Sequence, residues 1–208
     1  MRYLNYLVAF TILVYTFSCQ PSGSNKPLPI IGNHIIDSET GDTTYHQIRD
    51  FTFIDQDSQS VSNDYFADKA YITDFFFTSC PTICPKVKKQ MMRIYDRYEN
   101  DDRLLLLSHT IDVKHDTVAK LKKYAISLGV DTPKWRFVTG EKDSIYSIAY
   151  DYQSTALEDT DAPGGFNHSG YILLIDKDRH IRAYADGTKE EKVDEFFDKI
   201  DRLLKEME

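Results

Sequence analysis

Cysteine is almost missing from this chain, with three residues in 208. Cys19 falls at the end of an N-terminal apolar run, so Cys80 and Cys84 are the only thiols of the body, available to pair with each other or to share a metal ion. A surplus of positive charge is also lacking. The 25 Lys and Arg against 33 Asp and Glu leave a formal charge of −8. Nothing here would neutralise phosphates along a groove, which argues against nucleic acid as a partner, and electrostatic docking to anionic lipid is disfavoured. The longest apolar run, residues 7–17, falls short of the roughly 20 residues that a membrane-spanning helix needs. No internal repeat or low-complexity tract is present. Aromatic residues, by contrast, make up 13% of the chain and indicate a well-packed body.

The N-terminus has the form of an export signal: a basic start at Arg2, a short hydrophobic core, and the small residue Ser18 before Cys19. This predicts a lipoprotein-type signal over residues 1–18, with Cys19 acylated as the mature N-terminus; a plain signal peptide or an uncleaved anchor is the alternative. Residues 20–29, rich in Pro, Ser and Gly, read as a flexible tether within an N-terminal extension that runs to residue 47. The remainder, residues 48–208, is the size of one domain.

Within it, short strand-like and helix-like runs alternate, the pattern of an α/β fold. Residues 51–54 and the later Val61 bracket the turn-rich 55–60 and predict a hairpin. Residues 71–77 and 104–107 are continuous apolar strands of the kind buried on both faces. Between them Pro85 opens a helix whose apolar stripe is Val87, Met91, Ile94, Tyr95 and Tyr98. Val118, Leu121, Ala125 and Leu128 line a second helix, stopped by Gly129. Residues 135–138, 144–152, 171–175 and 181–184 read as strand, helix, strand and strand. A capping box at Thr188-Lys189-Glu190-Glu191 predicts a closing helix with Val193, Phe196, Phe197, Ile200, Leu203 and Leu204 buried.

This order, strand, Cys pair, helix, strand, helix, hairpin, helix, is that of a thioredoxin-like fold, a central sheet flanked by helices, with extra elements that include an N-terminal hairpin extension. Because Pro85 disfavours helical geometry before it, Cys84 is expected at the helix N-cap and Cys80 in the preceding loop. Both sulfurs would then face the positive end of a helix, which favours thiolate over thiol. A thiolate is the nucleophile of disulfide exchange and also a soft metal ligand. The third partner separates these uses. A mobile, Gly-rich loop over residues 161–170 delivers His168 just before the strand at Tyr171. Two thiolates and an imidazole form a soft three-coordinate set suited to Cu(I). A lone histidine can equally be a hydrogen-bonded structural residue, and residue types alone leave both readings open. A structural zinc site would need a fourth ligand, and none is evident.

With these residues in view, the chain resembles the Sco/SenC family over residues 48–208. The family's Cys-Pro-x-x-Cys-Pro motif matches Cys80-Pro81-Thr82-Ile83-Cys84-Pro85. Its Asp-Pro-x-x-Asp-Thr stretch is similar to Asp112-Val113-Lys114-His115-Asp116-Thr117, its Trp-x-x-Leu-Thr-Gly to Trp135-Arg136-Phe137-Val138-Thr139-Gly140, and its Asp-His-Ser/Thr loop to Asn167-His168-Ser169. The resemblance implies a copper-binding protein, with copper as Cu(I) or Cu(II) held by Cys80, Cys84 and His168, that delivers the ion during assembly of the Cu-A site of cytochrome c oxidase. Its partner would be the Cu-A subunit or another copper or thiol protein. Lipidation at Cys19 would hold it on a membrane, extracytoplasmic and on the periplasmic side in a bacterium. The alternatives are a thiol-disulfide oxidoreductase using Cys80 and Cys84 as a redox-active pair to reduce the Cu-A cysteines, and a copper or redox sensor. Two positions depart from the family pattern. Asn167 replaces an acidic residue, for which Asp159 or Asp161 is a substitute, and Val113 replaces a proline.

Other titratable residues have plainer readings. His34, His46 and His180 are expected to be solvated. His109 lies at the end of a strand on the side of the Cys pair, where a supporting role to the site competes with packing or a local hydrogen bond. Asp74 is a partly buried acid near the thiols or a strand-edge residue with a backbone partner. The charge run at residues 189–194 is a solvated helix face.

Overall fold

The computed structural model describes residues 26–208, so the segment read as a signal, Cys19 included, lies outside the described residues. Among the described residues no helix is long and apolar enough to cross a membrane. The elements follow in chain order: β1 (Ile35–Ile36), β2 (Thr43–Thr44), β3 (Thr52–Asp55), β4 (Ser60–Ser62), β5 (Ala70–Phe76), α1 (Cys84–Tyr98), β6 (Leu104–Thr110) and α2 (Val118–Leu128). Then come β7 (Trp135–Thr139), α3 (Lys142–Asp151), β8 (Ala156–Glu158), β9 (Phe166–His168), β10 (Tyr171–Ile175), β11 (Ile181–Asp186) and α4 (Glu190–Glu206). The result is the α/β, thioredoxin-like arrangement that the element order predicts.

β5 and β6 set the centre. Every residue of both strands is buried, and they run parallel with Asp74 opposite Ser108 and Phe75 opposite His109. Strands covered on both faces gain nothing from polar alternation, which is why they read as apolar runs. β7 continues the parallel set beside β6. β10 lies antiparallel to β5 and β11 antiparallel to β10, while the β3–β4 hairpin joins through β3, giving the order β11-β10-β5-β6-β7-β3-β4. In that hairpin the Asp55 carboxylate accepts from the N–H groups of Asp57 and Gln59, each at 2.8 Å, so a side chain holds the predicted turn.

Successive side chains on a strand point to opposite faces, and β5 and β6 therefore border two different interiors. Asp74 and Ser108 meet Lys88 of α1. On the other face Thr73 and Phe75 meet His109, which meets Tyr152, the residue after α3, and Phe53 of β3. The predicted stripe of α1 is buried, and α1 packs on α4 with the Arg97 guanidinium 4.7 Å from the Phe197 ring centre. Thr117 caps α2 by accepting from the Lys120 N–H, and Gly129, at φ +69°, ends it in the left-handed conformation that glycine adopts without steric cost.

Several expectations are corrected. The capping box does not form: Lys189 holds the cap position without a side-chain bond, and Thr188 Oγ1 instead donates to Asp186 Oδ1 at 2.6 Å, a charged acceptor closer in sequence. β6 runs three residues past its apolar stretch, through Ser108, His109 and Thr110, each of which finds a side-chain hydrogen-bond partner on one face or the other. The segment read as a loop at residues 161–170 holds the turn and second strand of a hairpin, β8 pairing with β9 and Ala156 facing His168. The tether does not run free to residue 29. Leu28 is buried, its N–H donates to Glu206 Oε1 at 2.7 Å, Arg182 donates to the carbonyl of Leu28, and Ile31 bridges to Ile181. His34 is exposed as expected, but His46 and His180 are half-buried. His46 Nε2 lies 2.6 Å from the Asp151 carbonyl, and His180 Nδ1 lies 3.5 Å from Asp176 Oδ2.

Candidate metal centre

The sequence places Cys84 at the N-cap of α1, but the helix begins one residue earlier. Ile83 occupies the cap with helical dihedrals (φ −87°, ψ −35°), and its carbonyl accepts from the N–H groups of Lys86 and Val87, each at 3.0 Å. Proline disfavours helical geometry in the residue before it without forbidding it, so Cys84 enters the first turn. Its sulfur has a backbone partner at Phe77, before the helix, while the Cys84 N–H, which has no intrahelical acceptor, serves the sulfur of Cys80. Cys80 is in the loop before the helix, its N–H donating to the Phe77 carbonyl at 3.2 Å.

Two devices fix that loop. The Asp116 carboxylate, fully buried, accepts from Thr78 N–H (2.9 Å), Thr78 Oγ1 (2.5 Å) and Thr110 Oγ1 (2.7 Å), with Lys120 Nζ at 3.0 Å. One side chain thus ties the chain two residues before Cys80 to the end of β6 and the start of α2. The second device is a close approach. Gly164, at φ +81°, brings the turn between β8 and β9 so near Phe77 that a Cβ there would stand 2.8 Å from the ring. Only glycine satisfies both the dihedral and the space.

That turn leads to His168. Its Nε2 lies 3.4 Å from Cys84 Sγ and 4.0 Å from Cys80 Sγ, and all three candidate ligand atoms fall within 4.8 Å of one another. His168 Nδ1 is 3.2 Å from the Ser169 carbonyl oxygen. A carbonyl only accepts, so Nδ1 carries the proton of this bond; Nε2 then donates to a thiolate when the ring is protonated and offers its lone pair to a metal when the ring is neutral. All three residues are buried, and both cysteines are free thiols.

The two sulfurs are not equivalent. Burial pushes the Cys80 thiol up, but the His168 side chain, the N–H groups of Cys84 and Thr82 and the Cys84 side chain outweigh it and bring Cys80 down to about 6. Burial pushes the Cys84 thiol well above its ordinary range, and the neighbouring Cys80 adds to that rise, while a backbone bond with Phe77 and the charge of Lys88 oppose it. At neutral pH one sulfur is therefore largely thiolate and the other a thiol whose proton must leave before it reacts or binds metal.

The remaining candidates stand apart from this cluster. Asn167 is exposed, Asp161 is exposed, and the Asp159 carboxylate accepts from the Asp161 N–H at 3.0 Å within its own turn. His109 is fully buried among Phe51, Phe53, Phe75 and Tyr152, with Nδ1 3.2 Å from Thr73 Oγ1, which is the packing reading. Asp74 is fully buried rather than partly, and its partners are Lys88 and Ser108. Lys88 itself escaped the sequence reading. The available signal was a charged residue one turn after Cys84 on the face that helical spacing assigns to the core.

A mixed sheet with parallel strands at its centre, a cysteine pair at the start of the first helix after β5, and a histidine brought over that pair by the segment before β10 define a thioredoxin-like domain with a dithiol–imidazole centre. The chain belongs to the SCO1/SenC family, whose model matches residues 39–205. It is 31% identical over 105 residues to the SCO1 protein homolog of Bacillus subtilis (strain 168), a match covering 50% of this chain and 54% of that protein, so about half the relative's length is represented. Among solved structures, a SCO1/SenC family lipoprotein from Bacillus anthracis str. Ames superposes with a TM-score of 0.69 at 22% identity, covering 76% of this chain and 95% of that one. Arabidopsis thaliana ScoI with copper bound gives 0.64 at 24% identity, covering 76% and 98%.

Proposed function

We propose that this protein binds copper through the thiolates of Cys80 and Cys84 and through Nε2 of His168, and delivers it during assembly of the Cu-A site of cytochrome c oxidase. The observation that carries this reading is the convergence of two sulfurs and one imidazole nitrogen within 4.8 Å, with no carboxylate in the set. Soft donors in low number suit Cu(I) and poorly suit hard cations. Family membership and the copper-bound relative from Arabidopsis thaliana support it. Copper is cargo here. Binding requires the Cys84 proton to leave, and the fixed loop keeps the donors together before the ion arrives. Handover would proceed by exchange of these ligands for those of the receiving protein. A lipid on Cys19, after removal of residues 1–18, would hold the domain on the extracytoplasmic side of a membrane, the bacterial lipoprotein relative supporting that placement.

Anaerobic titration of the reduced protein with Cu(I) against a competing chelator tests the reading. One ion per chain is expected, and His168→Ala should lose most of its copper retention. Equal retention by His168→Ala and the parent would remove His168 from the site.

The unequal thiols favour a second reading, dithiol–disulfide exchange. In it the Cys80 thiolate attacks a target disulfide, forming a mixed disulfide and releasing one partner thiolate. Cys84 then gives up its proton and attacks Cys80 Sγ, forming the Cys80–Cys84 disulfide and releasing the second partner thiolate, so two electrons pass to the target. This chemistry predicts that alkylation of Cys80 by a thiolate-selective reagent is half-maximal near pH 6, because the reactive form appears as pH rises through that value. A half-maximum near the ordinary thiol range would contradict it.

A further inference from the structure

Lys88 stands one helical turn after Cys84, and its side chain is 5% exposed. Lysine is almost never fully buried unless paired, because an ammonium out of water is costly. Here it is enclosed by groups suited to a cation. Nζ lies 3.3 Å from Asp74 Oδ2 and 3.3 Å from Ser108 Oγ. It also lies 4.5 Å from the ring centre of Phe76, 4.8 Å from Trp135, 5.1 Å from Phe137 and 5.9 Å from Tyr124. Ring faces attract an ammonium and give a neutral amine no such advantage. Asp74 is held in place by a hydrogen bond from the Ser108 hydroxyl, which accepts from Trp135 Nε1 at 2.9 Å. Burial lowers the Lys88 pKa, while the Asp74 carboxylate beside it holds it up.

This enclosure adjoins the thiols. Lys88 lines the same groove, of about 370 Å³, as Cys80 and Cys84, and Asp74 does not. The charges of Lys88 and Cys84 act on each other across that helical turn, and the Asp74 side of the ion pair does not open onto the groove.

We propose that Lys88 is a positioning residue for the metal centre, a fixed positive charge that makes the site favour a monovalent soft cation, Cu(I), over a divalent one. The proposal rests on the copper reading above. Two thiolates and a neutral imidazole around Cu(I) carry one net negative charge, whereas the same ligands around a divalent ion are neutral. A cation behind Cys84 attracts the first assembly and is nearly indifferent to the second, and in a buried setting that difference is weakly screened. The site thus gains a charge-based preference for the oxidation state in which copper is transferred by thiolates, beyond what the softness of its ligands supplies.

The test uses the reduced protein and two ions, Cu(I) and the redox-inert divalent Cd(II), each titrated against its own chelator. The quantity read is the ratio of Cu(I) to Cd(II) affinity. Lys88→Met, which keeps the volume and removes the charge, should lower the ratio by about a hundredfold, the scale of one charge acting across a helical turn at an effective dielectric near 20. Lys88→Arg should stay within about threefold of the parent, since the charge is kept. Lys88→Gln, which removes the charge but keeps a hydrogen-bonding head for Asp74 and Ser108, should lower the ratio by a similar factor, and it tests the proposal even if Lys88→Met does not fold. An unchanged ratio in Lys88→Met or Lys88→Gln, with both affinities moving together, would reduce Lys88 to a structural residue and overturn the proposal. If the parent binds neither ion, the copper reading itself fails; if the parent binds Cu(I) and the ratio ignores the Lys88 charge, only the present inference fails.

Discussion

Thr73 and Asp74 are neighbours on β5, yet the polar groups they support, His109 and Lys88, lie on opposite faces of the sheet under opposite electrostatic regimes. His109 is fully buried among aromatic rings, with Phe75 stacked on it at 4.9 Å and Thr73 as its hydrogen-bond partner; its Nε2 has no hydrogen-bond partner among the described residues. No carboxylate is bonded to its ring, and burial drives its pKa down to about 3, so the ring is neutral and serves as a flat packing unit. Lys88 is as deeply buried, but a carboxylate, a hydroxyl and four ring faces surround it. The surroundings of His109 exclude charge and those of Lys88 enclose it, and the enclosed charge lies one helical turn from Cys84. Burial of a polar residue near a site is therefore weak evidence of a role in it; what surrounds the residue decides.

The sharpest way to break this comparison is to remove the counter-charge. Asp74→Ala leaves the Lys88 ammonium buried without its carboxylate, and a loss of roughly 3–5 kcal/mol is expected in chemical denaturation. A loss under about 1 kcal/mol would mean that the rings and Ser108 suffice and that the pair is not an energetic unit.

His109 predicts a smaller effect with a definite sign. Its folded pKa lies below its unfolded value, so below about pH 6.5 the unfolded chain takes up a proton that the folded protein refuses. Stability should fall as pH drops through that window toward 3, by about 2 kcal/mol between pH 7 and pH 5. His109→Phe fits a ring into the same aromatic surroundings and should flatten this acid branch while costing about 1 kcal/mol at pH 7 for the lost bond to Thr73. An acid branch equally steep in the variant would place the titrating group elsewhere.

How far the molecule could be read from its residues follows from the same physics. The buried strands, the stripe of α1 and the α2 stop at Gly129 depend on local periodicity and turn chemistry, and they appear where the sequence places them. Cys80, Cys84 and His168 were legible as candidates because thiols are scarce and the motif order matches the family, and the structure brings them together. The failures share a cause. Thr188 abandons its capping box for Asp186, Asp116 clamps the loop at Thr78, and Lys88 finds Asp74 across the helix–sheet interface. Each depends on a side-chain partner whose position follows from tertiary packing or turn geometry and leaves no mark in spacing. The β8–β9 hairpin was missed because its Gly and Pro content reads as a loop, although Gly164 is there to let the turn close against Phe77.

The central claim is the donor set, two sulfurs and one nitrogen from a histidine that follows the cysteine pair by more than eighty residues. X-ray absorption on the anaerobic Cu(I)-loaded protein reads that set directly. The account predicts a first shell of two sulfurs and one imidazole nitrogen in the parent, with the imidazole signature lost in His168→Ala. A shell of sulfur alone in the parent, or an imidazole contribution that persists in His168→Ala, would contradict it.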